Sequence, residues 1–308
     1  MNQQNSDYES PWKEALTDYF EQFMELCFPE VHADIDWSRG WETLDAELQE
    51  VIRDAEIGRR LADKLVKVYL RDGEEAIVLI HVEIQGKVQI DFAKRMYIYN
   101  NRLFDRYDKE VISLAVLGDD DPNWRPDAYG YSRWGFRRHL QFPVVKLLDY
   151  ATNHTLEQDP NPFAVIIMAH LKTLETRGVP QQRLQSKLAL VRGLYDRGYT
   201  KNMILELFRL IEWMMTLPPP LQLEFKTELN RIQEENRMPF MTSFEIDGRL
   251  KTAREYIIKV LETRFSAVTP AVSNSIESIE DLAALDRLLV SAVTVTSLAA
   301  FEEILSEI

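Results

Sequence analysis

Asp63, Glu83 and Gln85 are the residues through which this chain can do chemistry. They lie in two runs rich in Val, Ile, Leu and Tyr, residues 61–70 and 76–85, separated by Arg71-Asp72-Gly73-Glu74. Two apolar runs around a polar, Gly-containing turn predict a β-hairpin. Successive strand residues face opposite ways, so His81, Glu83 and Gln85, with Lys87 just beyond, share one face while Val82 and Ile84 take the other. Polar groups on so apolar a strand are costly unless paired or put to use. With Glu47 contributed by a preceding helix, the set becomes an acid on a helix, an acid on one strand and Glu-x-Gln on the next. Carboxylates that meet in this way suit a hard cation, Mg²⁺ or Mn²⁺, which takes oxygen ligands. Such an ion lowers the pKa of a bound water and polarises a phosphoryl oxygen. Gln85 can orient the water by hydrogen bonds but brings no charge. Lys87, Lys67 and Lys64 are the candidates to supply it, Lys64 the weakest because alternation sets it opposite to Asp63. The plainer alternative is a structural hairpin with Glu83 paired to Arg95 and Asp63 to Lys87.

The elements that must position these groups follow from periodicity. Residues 12–28 carry apolar positions at helical spacing and predict one amphipathic helix stopped by Pro29. A second helix is expected from about residue 43 into the fifties, with Leu44, Leu48, Val51 and Ile52 as its buried stripe. Residues 91–107 read as a helix, and EVISLAVLG after it as a buried strand. Strand, helix and strand in that order imply a crossover packed on a sheet. A polar loop, GDDDPNWRPDAYGYS, leads to FPVVKLLDY, the expected last strand. Beyond about residue 155 the strand signal ends, and helices are expected over 163–176, 182–197, 201–215, 221–236 and 249–264, with two short ones in 276–305. The expected fold class is α/β: a mixed central sheet flanked by helices, then an all-α C-terminal half. The domain reading is 1–155, 156–260 and 261–308.

Composition narrows the classes. A chain of 308 residues can bury a substantial core. One cysteine, Cys27, excludes an internal disulfide and a thiolate cluster and fits a reducing cytosol. MNQQNSDYES lacks the regions of a signal peptide, and no apolar run reaches membrane-spanning length, so a soluble cytoplasmic protein is expected. The net charge of −14 argues against a protein that coats nucleic acid, though not against a local basic face. Arg133, Arg137, Arg138 and His139, interleaved with Tyr131, Trp134 and Phe136, form one such cluster. It is read as a solvated face, with contact to a DNA backbone as the alternative. The five histidines never stand at i, i+4, which disfavours a zinc helix. His81 reads first as a hydrogen-bonded core imidazole. Asp119-Asp120-Asp121 lacks the continuation of a calcium loop and reads as a solvated loop. No P-loop, Gly-x-Gly-x-x-Gly or nucleophile elbow occurs.

The run DKLVKVYLRDGEEAIVLIHVEIQG followed by DFAKRMYIYNNRLFDRY resembles the Rpn family of recombination-promoting nucleases and putative transposases, part of the PD-(D/E)XK superfamily. The likeness extends over SPWKEAL, IDWSRGWETLD, GRRLADKLVKV, SLAVLGDD, NWRPDAYGY, FPVVKLLDY and NPFAVIIMAHLKTLETRG, and more loosely over LVRGLYDRGYT and LIEWMMTLP. The tail from Leu261 is similar to a small helical domain that often ends such proteins. The resemblance implies a restriction-endonuclease-like core and a Mg²⁺- or Mn²⁺-dependent DNA endonuclease. It makes Asp63 and Glu83 the metal ligands and Glu47 the upstream acid, with Asp45, Glu50 and Asp54 as competitors. Gln85 takes the place usually held by Lys, and Arg95-x-x-x-Tyr99 the place of a substrate-contacting Gln-x-x-x-Tyr. Lys87, Arg95 and Tyr99 are thus the expected substrate contacts, and DNA the expected partner, with no membrane and a possible homo-oligomer through the helical half. The rival expectation is a catalytically weak or inactive nuclease-fold scaffold that binds DNA or protein through its helical half.

Overall fold

The structure, a computed structural model, describes residues 9–46, 48, 62–83, 91–152, 154–236, 243–265, 268–279 and 281–305. Two helices, α1 (Glu9–Asp18) and α2 (Phe20–Cys27), are followed directly by α3 (Pro29–Asp34). The single helix expected over 12–28 is therefore two, bent at Tyr19, where φ is −128° and ψ 38°. The i to i−4 bonds Tyr19 N to Ala15 O and Phe23 N to Tyr19 O survive on both sides of the bend. Pro29 does not end the helical region; it opens α3 from its first turn, where its missing N–H is no loss.

The expected hairpin is present as β2 (Ala62–Tyr69) and β3 (Glu75–Glu83), antiparallel, after a short β1 (Glu42–Thr43) that sequence reading had joined to a helix. The turn is closed by Leu70 N to Glu74 O at 2.8 Å and needs glycine at Gly73, where φ is 93°. Then come α4 (Phe92–Tyr107), β4 (Val111–Leu117), a two-stranded ribbon of β5 (Ala128–Arg133) and β6 (Phe136–Gln141), and β7 (Val144–Lys146). The central sheet runs β1-β2-β3-β4-β7, with β3, β4 and β7 parallel. The fold is mixed α/β. The ribbon is a correction: a loop was expected over much of it. Its tip, Trp134-Gly135, has φ of 51° and 85°, as a two-residue I′ hairpin turn requires. An L-residue in that region costs about 1–2 kcal/mol, which makes tryptophan an unusual choice.

Both sheet faces are covered. On one, Trp12 of α1 is fully buried and meets Phe163 edge-on at 5.5 Å, and α1 packs on β2. On the other, Phe92 and Met96 of α4 pack with Ala115 and Leu117, and Tyr99 and Leu103 pack with Leu44, Leu48 and Leu65. The stripe Phe92, Met96, Tyr99, Leu103 is the one helical spacing predicts.

After β7 every described regular element is helical: α5 (Pro162–Glu175), α6 (Pro180–Asp196), α7 (Lys201–Met214), α8 (Pro219–Asn236), α9 (Ser243–Phe265), α10 (Pro270–Glu277), α11 (Leu282–Thr294) and α12 (Leu298–Leu305). The chain divides into compact units at 1–238 and 239–308. The second unit has its own core, built on Ile257, Leu261, Ile276, Leu285, Leu288 and Phe301. Helix α9 runs unbroken across 260–261, where sequence reading had set a domain boundary. Arg264 closes the end of α11 by donating to the carbonyls of Ala292 and Val295 at 2.6 and 2.7 Å. No described helix is long and apolar enough to cross a membrane.

Candidate functional site

The register of β2 on β3 sets the geometry. Asp63 stands directly opposite His81, and Glu83 follows two residues on. Asp63 and Glu83 are therefore diagonal neighbours on one sheet face, about 7–8 Å apart by the usual dimensions of such pairs. Leu65, two residues from Asp63, packs against Tyr99 and Leu103, so this is the face that α4 covers. Their backbone positions are described and their side chains are not; Glu47, Gln85 and Lys87 lie outside the described residues. Carboxylate oxygen is the donor type that a hard divalent cation takes. Among the described residues no group of three or more His, Cys, Asp or Glu forms a metal site.

Lys64 lies on the opposite face, as alternation requires, and is 1 % exposed. Its Nζ donates to Asp45 Oδ2 at 2.8 Å and Thr17 Oγ1 at 3.0 Å. That pairing gives Asp45, a competitor for the upstream acid, a structural partner. Lys67 pairs with Glu42 at 2.5 Å. Arg95 and Tyr99 both sit on the buried side of α4, 5 % and 1 % exposed. One helical turn apart, they face the same sheet surface as Asp63 and Glu83. Tyr99 is enclosed by Leu44, Leu48, Leu65 and Leu103, so contact with a substrate would require that cluster to open.

The register also places Glu83, Leu117 and Lys146 in one row across β3, β4 and β7. Lys146 stands two strands from Glu83, about 10 Å by strand spacing. Its ammonium is buried and donates to Asp119 Oδ1 at 2.6 Å. Asp119 is 1 % exposed, which corrects the reading of 119–121 as a solvated loop. Its Oδ2 is buried without a hydrogen-bond partner among the described residues. Asp120 does behave as expected, pairing at the surface with Arg177 at 2.8 Å. No local signal in the sequence marks Asp119 and Lys146 as partners, because 27 residues separate them.

Two other reactive groups are structural. His170 on α5 accepts from Trp12 Nε1 at 3.3 Å, and its Nε2 donates to the Gly118 carbonyl at 2.8 Å. Trp12 can only donate, so Nδ1 is the acceptor and Nε2 carries the proton. Burial holds the imidazole neutral, its pKa pushed down to about 4. Burial likewise pushes the Cys27 thiol up to about 12, which removes it as a nucleophile.

The basic cluster forms the ribbon. Tyr131 pairs with Arg138 and Arg133 with Phe136 on one face, Ser132 with Arg137 and Gly130 with His139 on the other. Trp134 is 95 % exposed, Phe136 56 % and Tyr131 50 %. Comparison of the chain with family models, with curated proteins and with solved structures yields no match.

Proposed function

We propose that the chain is a metal-dependent DNA endonuclease of the PD-(D/E)XK type, hydrolysing phosphodiester bonds at the end of β3. The observation that supports it best is the β2–β3 register, which makes Asp63 and Glu83 diagonal neighbours on one face beside the buried side of α4. The resemblance of the hairpin and following helix to recombination-promoting nucleases supplies the reaction class. In this reading Asp63 and Glu83 hold Mg²⁺ or Mn²⁺, and Glu47 adds a third carboxylate from the preceding helix. A bound divalent ion supplies Lewis acidity at the phosphoryl oxygen and a more acidic water. Gln85 hydrogen-bonds the attacking water and aims it at phosphorus, opposite the leaving oxygen. Lys87 lies closest in sequence to the site and supplies the cation that Gln85 lacks.

A second reading, a nuclease-fold scaffold without turnover, is favoured by one observation. Lys64, Lys67 and Lys146 are each ion-paired among the described residues, so none of these three lysines is a ready substitute for the charge that Gln85 lacks.

Plasmid cleavage by the purified chain separates the two. With Mg²⁺ or Mn²⁺ the supercoiled form is nicked, EDTA stops it, and Glu83→Ala lowers the rate by about 10²-fold or more, the scale of losing a group that stabilises developing charge. Gln85→Lys then raises it. A folded wild-type chain that leaves the plasmid intact with every divalent metal tried overturns the nuclease reading.

A further inference from the structure

The ribbon β5–β6 stands outside the central sheet, and residues 130–139 are all exposed. Its root is fixed on α4. Tyr97 packs against Tyr129 and Tyr131 at 5.2 and 6.2 Å between ring centroids, and Arg138 donates to Asn101 Oδ1 at 3.2 Å. Phe142, just past β6, is buried. An isolated two-stranded ribbon is marginal in water, so one that holds aromatic rings clear of the core calls for a reason. Asn or Gly would serve the tip turn with less strain than Trp134. Residues 128–141 contain Arg133, Arg137, Arg138 and no acid, in a chain whose net charge is −14. Positive charge is thus gathered on an exposed arm and matched to a polyanion.

We propose that this ribbon holds duplex DNA, entering the major groove tip-first with Trp134 toward the base edges. Arg137 on one face and Arg133 on the other meet phosphates of the two groove walls, while Arg138 holds the root on α4. The major groove of B-DNA admits a two-stranded ribbon, whereas that of an RNA helix is too deep and narrow for side chains to read, so the duplex is DNA. The inference rests on the nuclease reading by naming the element that holds its substrate, but it requires binding and not turnover.

The test is fluorescence anisotropy of a short labelled DNA duplex with the full chain carrying Glu83→Ala, in EDTA, over a range of salt concentrations. The Arg133→Ala, Arg137→Ala double variant is expected to bind about tenfold or more weakly and to reduce the slope of log affinity against log salt by roughly 2. Trp134→Asn keeps the turn, so its melting temperature does not fall, yet it loses about tenfold in affinity. Any of three results overturns the proposal: parent and variants bind alike, the parent does not bind the duplex, or Trp134→Asn abolishes only self-association. Equal binding to duplex RNA overturns the groove assignment as well. Cleavage of plasmid with unchanged binding by the ribbon variants sinks this inference and leaves the nuclease reading standing. Ribbon-dependent binding without cleavage does the reverse.

Discussion

His170 links three parts of the first unit through one ring: α5 carries it, Trp12 of α1 donates to it, and it donates to Gly118 at the end of β4. Burial, which penalises a charge in the core, holds its pKa down to about 4, with the Arg177 guanidinium adding to the effect and the Gly118 carbonyl opposing it. In the unfolded chain an ordinary histidine titrates near 6.5. Between these values the unfolded state binds more protons, so stability is complete above about pH 6.5 and falls as pH drops toward 4. The shift corresponds to about 3 kcal/mol. His170→Gln removes this titration along with the matched hydrogen bonds. Urea denaturation is therefore expected to show wild type ahead at pH 7.5 and its lead shrinking steadily down to pH 4. A lead that is constant over that range would show that His170 does not titrate on unfolding.

At the scale of elements, the C-terminal ends of the parallel strands are tied by the Lys146–Asp119 pair, from the end of β7 to the turn after β4. Both charges are sealed, so removing one leaves the other buried and uncompensated. Asp119→Asn is expected to cost about 3–5 kcal/mol in chemical denaturation, whereas replacing both residues with apolar ones of similar size comes close to neutral. If Asp119→Asn cost no more than a surface change, solvent must reach the pair. This contact was illegible in the sequence, where the triplet Asp119-Asp120-Asp121 looks solvated and the partner lies in another strand. The hairpin was legible, because alternation and the Gly73 turn are local and agree. So was the stripe of α4. The ribbon was not: a strand shows period two only when one face is buried, and residues 130–139 have neither face buried. Trp134 hid it further, since the left-handed tip is filled by a bulky L-residue where Asn, Asp or Gly is usual. The candidate site was legible in part. Asp63 and Glu83 fall on one face as alternation requires, but the burial of Tyr99 depends on Leu44, Leu48 and Leu65, which only the fold brings together.

At the scale of the whole molecule, two separate cores carry two separate sets of demands. The first unit positions the candidate site and the ribbon; the second closes its own core around α9, α11 and α12. Leu288 on α11 is fully buried in that second core. Leu288→Ala removes buried methyl groups and leaves a cavity, a loss of about 2–5 kcal/mol. Because a core acts cooperatively only within itself, this loss is expected to fall on one calorimetric transition and leave the other in place, so that the scan departs from a single two-state curve. His170→Gln, in the first unit, is expected to move the other transition. With the cores independent, the proposed duplex binding and metal-dependent cleavage are expected to be the same for Leu288→Ala as for wild type at temperatures below both transitions. If Leu288→Ala and His170→Gln instead shift one common transition together, the two cores unfold as one. The second unit would then be part of what stabilises the first, and the division of labour drawn here would fail.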